Sequence, residues 1–247
     1  MKMHIDTAPV IEAFDSHDEC PFCLLEQQTE QRAIRFVVGP SASYMEPDVR
    51  AATDKAGLCG SHLKKLYDYG NSLGNALILQ THLAGILEEL DKQIASFSLP
   101  GKRGLFSTPE APAITQWAHQ RSGSCYLCEK LEENMQRYYA TFFFLLKDAQ
   151  FREKVESGKG FCMRHFAALM DHAPQELPNP QREWFYPTVL RLMQENLTRV
   201  KGDLDWFAAK FDYRNAGADW KNSKDAVSRT MQKLQGIYPA APPYKKD

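Results

Sequence analysis

The sequence predicts an all-α fold of two tandem, pseudo-repeated helical modules, each carrying one Cys3His metal site. Three observations predict it. Apolar residues recur at helical rather than alternating spacing along most of the chain. The six cysteines fall into two matching constellations, each completed by a histidine. The residues around those constellations repeat at a period of about 105.

The first module spans 1–97 and opens on a short apolar helix pattern, Pro9, Ile11 and Phe14. Cys20-Pro21-Phe22-Cys23 follows, then 35 residues, then Cys59-Gly60-Ser61-His62. The run Arg35–Val38 has weak strand character and sits better on a helix. Residues 73–97 carry Leu73, Leu77, Leu83, Ile86, Leu87 and Leu90 between charged positions, the pattern of an amphipathic helix. Residues 98–112 cluster Pro100, Gly101, Gly104, Pro109 and Pro112 and read as a linker.

The second module, 113–236, repeats the plan. Pro112, Ile114 and Trp117 precede Cys125-Tyr126-Leu127-Cys128, and 33 residues later comes Cys162-Met163-Arg164-His165. Residues 125–147 predict a helix ending in the apolar stretch Tyr138 to Leu146, whose aromatic run Tyr138 to Phe144 reads as core, with the lining of a ligand pocket as the alternative. A proline-rich interruption, Pro174 to Pro180, precedes a long helix over 185–211 and a last one near 223–236. The tail 237–247, with Pro239, Pro242 and Pro243, is expected to fray.

The repetition extends past the cysteines. Arg32 and Arg137 each lie nine residues beyond the second cysteine of their pair, and Arg50 and Arg152 precede the third cysteine by nine and ten. Gly57-Leu58 and Gly160-Phe161 introduce that cysteine. Leu63, Leu66 and Asp68 match Phe166, Leu169 and Asp171.

Thiolate and imidazole are the ligands zinc prefers, and a closed Cys3His tetrahedron is a standard structural site. Completeness within each repeat predicts one site from Cys20, Cys23, Cys59 and His62 and another from Cys125, Cys128, Cys162 and His165, hence two zinc ions per chain. An iron–sulfur cluster is the alternative cofactor, since thiolates suit it. Thiol–disulfide chemistry shares the C-x-x-C pattern but wants a βαβ context that is missing. Covalent haem attachment is excluded, because Leu24 and Glu129 occupy the required histidine positions. Each C-x-x-C stands just before a helical pattern, so its sulfurs meet the favourable end of a helix dipole.

Charge nearly cancels, with 30 basic against 31 acidic residues, so no broad nucleic-acid footprint is present. No run of 18 apolar residues predicts a membrane span, and the N-terminal residues lack a secretory h-region. These features point to the cytoplasm. No phosphate loop, nucleophile elbow or H-E-x-x-H occurs. His4, His17, His82, His119 and His172 read as ordinary surface or packing residues, and the Glu88-Glu89 and Glu132-Glu133 pairs as solvated faces. Four protein ligands leave zinc no open position, so any working surface lies elsewhere. Asp212-Tyr213-Arg214 is the candidate, with Arg214 gripping a carboxylate or phosphate and Tyr213 as an aromatic wall. The competing reading is that Asp212 and Arg214 cap and tether the C-terminal helix. The function expected is a non-enzymatic binding or scaffold module for an unknown protein or small-molecule partner. A redox or metal-accessory protein, or an enzyme with an open metal site, is the alternative.

C-P-x-C, an Asp/Arg stretch, and Gly-aromatic-Cys-x-x-His-x-x-x-Leu together resemble an uncharacterised bacterial family of helical proteins carrying this unit twice. The matching stretches are 20–23, 57–66, 125–128 and 160–169. Lys210-Phe211-Asp212-Tyr213-Arg214-Asn215 is similar to that family's C-terminal signature. Leu58 departs from the aromatic before the third cysteine, and Tyr126 from the proline. The resemblance implies the fold and the metal, and carries no activity.

Overall fold

A computed structural model describes residues 6–99 and 111–238. Among them the regular structure is entirely helical: α1 (Thr7–Asp15), α2 (Pro21–Val38), α3 (Pro47–Ala56), α4 (Gly60–Tyr69), α5 (Ser72–Ala95), α6 (Ala113–Gly123), α7 (Tyr126–Leu145), α8 (Ala149–Glu156), α9 (Met163–Glu176), α10 (Asn179–Ala209) and α11 (Ala226–Gln235). None of these helices is long and apolar enough to cross a membrane. Most of the expected linker and nearly all of the expected tail lie outside the described residues.

Local chemistry sets the helix ends. Pro47 opens α3, where its missing N–H is no loss, with Asp48 in the same first turn. Asn71 caps α5 by accepting from the Gly74 N–H at 3.0 Å, and Asp148 caps α8 by accepting from the Gln150 N–H at 2.8 Å. Gly70 ends α4 in the left-handed region, at φ 86°. The expected interruption from Pro174 to Pro180 narrows to two residues, because α9 runs through Pro174 to Glu176. α10 starts at Asn179, six residues before the expected 185, and runs through Pro187. Proline inside a helix forfeits a backbone bond and its ring crowds the preceding turn, at a cost of about 3 kcal/mol. Here Phe185, Val189, Leu192 and Met193 on the same helix are all buried, and tertiary packing outweighs that loss.

The described chain forms two compact units, and they do not follow the repeats. The first joins residues of Met1–Thr29 to residues of Glu133–Pro242; the second lies within Glu30–Glu132. The expected boundaries, 1–97 and 113–236, are therefore replaced by an interleaved division. Both cuts fall inside a long helix, α2 and α7.

The first unit has an aromatic core. Phe142 of α7 is fully buried. Its ring stacks on Phe14 of α1 at 5.5 Å and meets Phe22 of α2 edge-on at 5.5 Å, with Phe151 and Phe161 at 6.0 and 6.2 Å. The second unit has an aliphatic one: Ile34, Val37 and Val38 of α2, Leu66 of α4, Ile78 of α5 and Leu127 of α7, closed by Tyr69. As expected, the run from Tyr138 to Phe144 is core at Tyr138, Tyr139, Phe142 and Phe143, with Leu145 and Leu146 buried beyond it, whereas Phe144 is exposed.

Because the Phe142 ring is surrounded by other rings, Phe142→Ala removes a large buried side chain from a site that cannot collapse. It should destabilise the chain by about 3–5 kcal/mol in urea denaturation. A loss under about 1 kcal/mol would mean the aromatic cluster is loosely packed.

Candidate metal centres

The structure brings all eight expected ligands into two groups of four, but the groups cross the repeats. Cys20 and Cys23 meet Cys162 and His165; Cys125 and Cys128 meet Cys59 and His62. The within-repeat sites expected from the sequence are corrected by this pairing. In the first group the Sγ atoms of Cys20, Cys23 and Cys162 lie 3.4, 3.4 and 3.2 Å from His165 Nδ1. In the second, those of Cys59, Cys125 and Cys128 lie 3.2, 3.3 and 3.4 Å from His62 Nδ1. Within each group the four ligand atoms are all within 4.8 Å of one another. A tetrahedral zinc spaces its sulfurs about 3.8 Å apart and sulfur from nitrogen about 3.5 Å. The Sγ atoms of Cys59 and Cys128 are 3.8 Å apart. Each group could hold one metal ion.

The crossing follows from where α2 buries its apolar residues. Ile34, Val37 and Val38 pack with Leu66 and Tyr69 of α4, which sets α4 beside the downstream half of α2. His62, near the start of α4, therefore meets Glu30. Glu30 lies seven residues beyond Cys23, about 10 Å of helix rise. Thiolates separated by that rise cannot share one ion. In α7 the same logic applies, for Tyr139, whose ring lies 6.3 Å from that of His165, is eleven residues past Cys128. The sequence held a signal for this pairing. Phe22 and Phe161, from different repeats, share the aromatic core at 6.0 Å, whereas Leu127 and Leu58 share the aliphatic one. The departure at Leu58 belongs to that partition.

Helix starts place the ligands, as expected. Cys59 and Cys162 are the residues that precede α4 and α9, with extended backbone, and the His165 N–H points at Cys162 Sγ at 3.4 Å. The glycines two residues before them both have left-handed backbones, Gly57 at φ 68° and Gly160 at φ 73°. A side chain would be strained there, and a Cβ on Gly57 would lie 3.1 Å from the His82 ring. The Gly57 carbonyl accepts from the Tyr126 N–H at 2.9 Å, binding the two halves of the second site. Proline could not donate that bond, which accounts for the departure at Tyr126.

Two residues of the site were not anticipated. His62 Nε2 lies 3.1 Å from Glu30 Oε1, and Lys65 pairs with the same oxygen. His165 Nε2 faces Glu26 Oε2 at 3.7 Å, and Arg164 grips that carboxylate with two guanidinium nitrogens. A carboxylate behind an imidazole fixes its tautomer and leaves Nδ1 for the metal. Both acids come from α2, one helical turn apart, while α7 has Leu131 and Met135 at the matching positions. That asymmetry between repeats was legible, but its meaning depended on the crossed pairing.

Electrostatics follow from the clustering. Burial opposes charge on His62, yet the Cys125 thiolate and Glu30 raise its pKa to about 10. Burial likewise opposes charge on His165, and Cys162 and Cys20 bring it to about 10. Burial pushes the Cys125 thiol up, but hydrogen bonds from His62 and from backbone N–H groups lower it to about 6. Burial and the neighbouring Cys125 push Cys128 up to about 12. Burial raises Cys59 too, and the Ser61 hydroxyl and the His62 N–H more than offset it.

The remaining candidates lie apart from the ligands. Asp212 caps a 3-10 turn by accepting from the Arg214 N–H at 2.9 Å, and it takes the Arg214 guanidinium at 2.6–3.1 Å. Tyr213 is 87% exposed. The signature's other ends close the loop: buried Lys210 donates to the carbonyls of Asn215, Ala216 and Ala218, and Asn215 Nδ2 to that of Ala209 at 2.9 Å. Asp212, Tyr213 and Arg214 thus form a solvent-facing turn between α10 and α11. His82 has the packing role expected, its Nδ1 3.0 Å from the Asp54 carbonyl. Glu89 differs from the expected solvated face: it accepts from Trp117 Nε1 at 2.8 Å and from Arg121 Nε at 2.7 Å, tying α6 to α5.

The chain is 23% identical over 209 residues to an uncharacterised 23.9 kDa protein from Caldicellulosiruptor sp. (strain Rt8B.4), covering 83% of this chain and 88% of that protein. No solved structure matches it significantly. The family described as a family of unknown function, DUF6062, matches residues 1–241, nearly the whole sequence and both ligand groups. The match over residues 1–241 shows that the chain belongs to the DUF6062 family.

Proposed function

We propose that the chain is a zinc-stapled helical protein that works as a binding or scaffold module. The observation that carries this reading is the pair of complete Cys3His shells, each with a carboxylate behind its imidazole. Three thiolates favour a borderline-soft ion such as zinc, and four protein ligands leave no position for substrate. Zinc there holds two helix starts together, and its binding is folding free energy on the order of 10 kcal/mol per site.

Purified protein should be colourless and contain two zinc equivalents by elemental analysis. Visible absorption with iron and sulfide would replace zinc with an iron–sulfur cluster. Protein free of metal would end the reading.

The pairing has its own test. Cys162→Ala should release one metal equivalent, lower the melting temperature, and make Cys20 and Cys23 reactive to iodoacetamide while Cys125 stays protected. Cys59→Ala should do the reverse, exposing Cys125. Within-repeat sites would give the opposite assignment in mass spectrometry.

Metal uptake should release protons. At neutral pH the metal-free second site holds one proton on His62 and one on Cys128, with Cys125 as thiolate. Both protons must leave when the ion binds, so acid opposes loading. Apparent zinc affinity of that site should rise by at least about two orders of magnitude per pH unit from about pH 7 to 9, in chelator competition. An affinity flat over that window would contradict the charge states described.

A further inference from the structure

The two sites share ligand types but not their surroundings. In the first, Cys20, Cys23, Cys162 and His165 are all buried, and α11 closes over them. Gly236 ends α11 at φ 73°, so near the sulfurs that a Cβ there would lie 3.1 Å from Cys23 Sγ and 3.6 Å from Cys162 Sγ. Polar contacts fasten the helix. Lys233, 1% exposed, donates its ammonium to the carbonyls of Glu19 and Lys159, each just outside a ligand loop. The side-chain amide of Gln232 and the Tyr238 hydroxyl both donate to Asp18, which also accepts from the Cys20 N–H at 2.9 Å. A reagent reaches these sulfurs only after α11 detaches.

The second site is open on one side. Cys128 is exposed and Cys59 half-buried, while Cys125 and His62 stay buried. Cys128 lies in the first turn of α7, where its sulfur can swing away without unwinding helix. Cys59 Sγ accepts a hydrogen bond from the Ser61 hydroxyl at 3.1 Å, which draws charge from that thiolate and weakens its hold on an ion.

We propose that the second site is a metal-exchange site, whose ion passes to and from thiol-bearing acceptors by ligand substitution at Cys128, while the first site is locked. This rests on the reading that both groups hold metal. An incoming acceptor thiolate forms a bond to the ion, the bond to Cys128 breaks, and Cys128 leaves as a thiolate that takes a proton from solvent. No electron changes hands. A second acceptor sulfur then displaces Cys59, and the ion departs from the two buried ligands.

The test is metal release from the intact, zinc-loaded protein into excess dithiothreitol with a chromogenic chelator. At intervals, free cysteines are alkylated and located by mass spectrometry. Release should occur in two phases of one equivalent each. The fast phase should free Cys59, Cys125 and Cys128, at a rate that rises with dithiothreitol concentration. The slow phase should free Cys20, Cys23 and Cys162 about tenfold more slowly or less, at a rate independent of dithiothreitol, because local opening of α11 limits it. Gly236→Ala, which crowds the first site, should accelerate the slow phase alone. Release in a single phase, the reverse order, or a fast phase insensitive to the thiol would overturn the exchange role while leaving both sites as metal centres. Protein isolated without metal would overturn both readings.

Discussion

Three sulfurs gathered around one imidazole nitrogen, all within 4.8 Å, form a cluster that a chain assembles only at a cost unless a cation lies among them. This protein gathers such a cluster twice, each time at the junction of two helix starts. The positive ends of those helices, the imidazole and its carboxylate partner all aim at the same point. Glycines with left-handed backbones deliver the third cysteine, and apolar packing sets which helix half each ligand loop sits beside. The remainder of the fold is arranged around these two clusters.

Much of this was legible in residue order. The eight residues that cluster, the helical class, the helix starts at each cysteine pair and the core role of most of the run from Tyr138 to Phe144 follow from spacing and periodicity. Which pair closes which site was not, because completeness within a repeat is a count of ligands and carries no distance. Distance enters through helix rise and through the burial of Ile34, Val37 and Val38, which is tertiary information. The early start of α10 had the same cause: burial of Phe185 and Val189 outweighs the prolines that mark a break in the sequence.

Repetition of the ligands hides a divergence in what supports them. One unit is filled with rings, the other with aliphatic chains, and the supporting acids both come from α2. The two ligand sets therefore sit in unlike surroundings. Lys210 and Asn215 between α10 and α11, and Lys233 on α11, donate to backbone carbonyls, and these bonds help to locate the C-terminal helix.

The crossed pairing has a consequence for synthesis of the chain. Cys23 waits for His165, 142 residues later, and Cys59 pairs with Cys128, 69 residues on. A nascent chain leaving the ribosome with only its first repeat exposes four would-be ligands and completes no site. The second cluster closes first, and the first cluster then encloses it in sequence, one loop nested within the other. Closing such long loops costs entropy that grows slowly with length, and an ion could offset it only once both ends are present. Neither residues 1–97 nor residues 113–236 carry a complete group on their own.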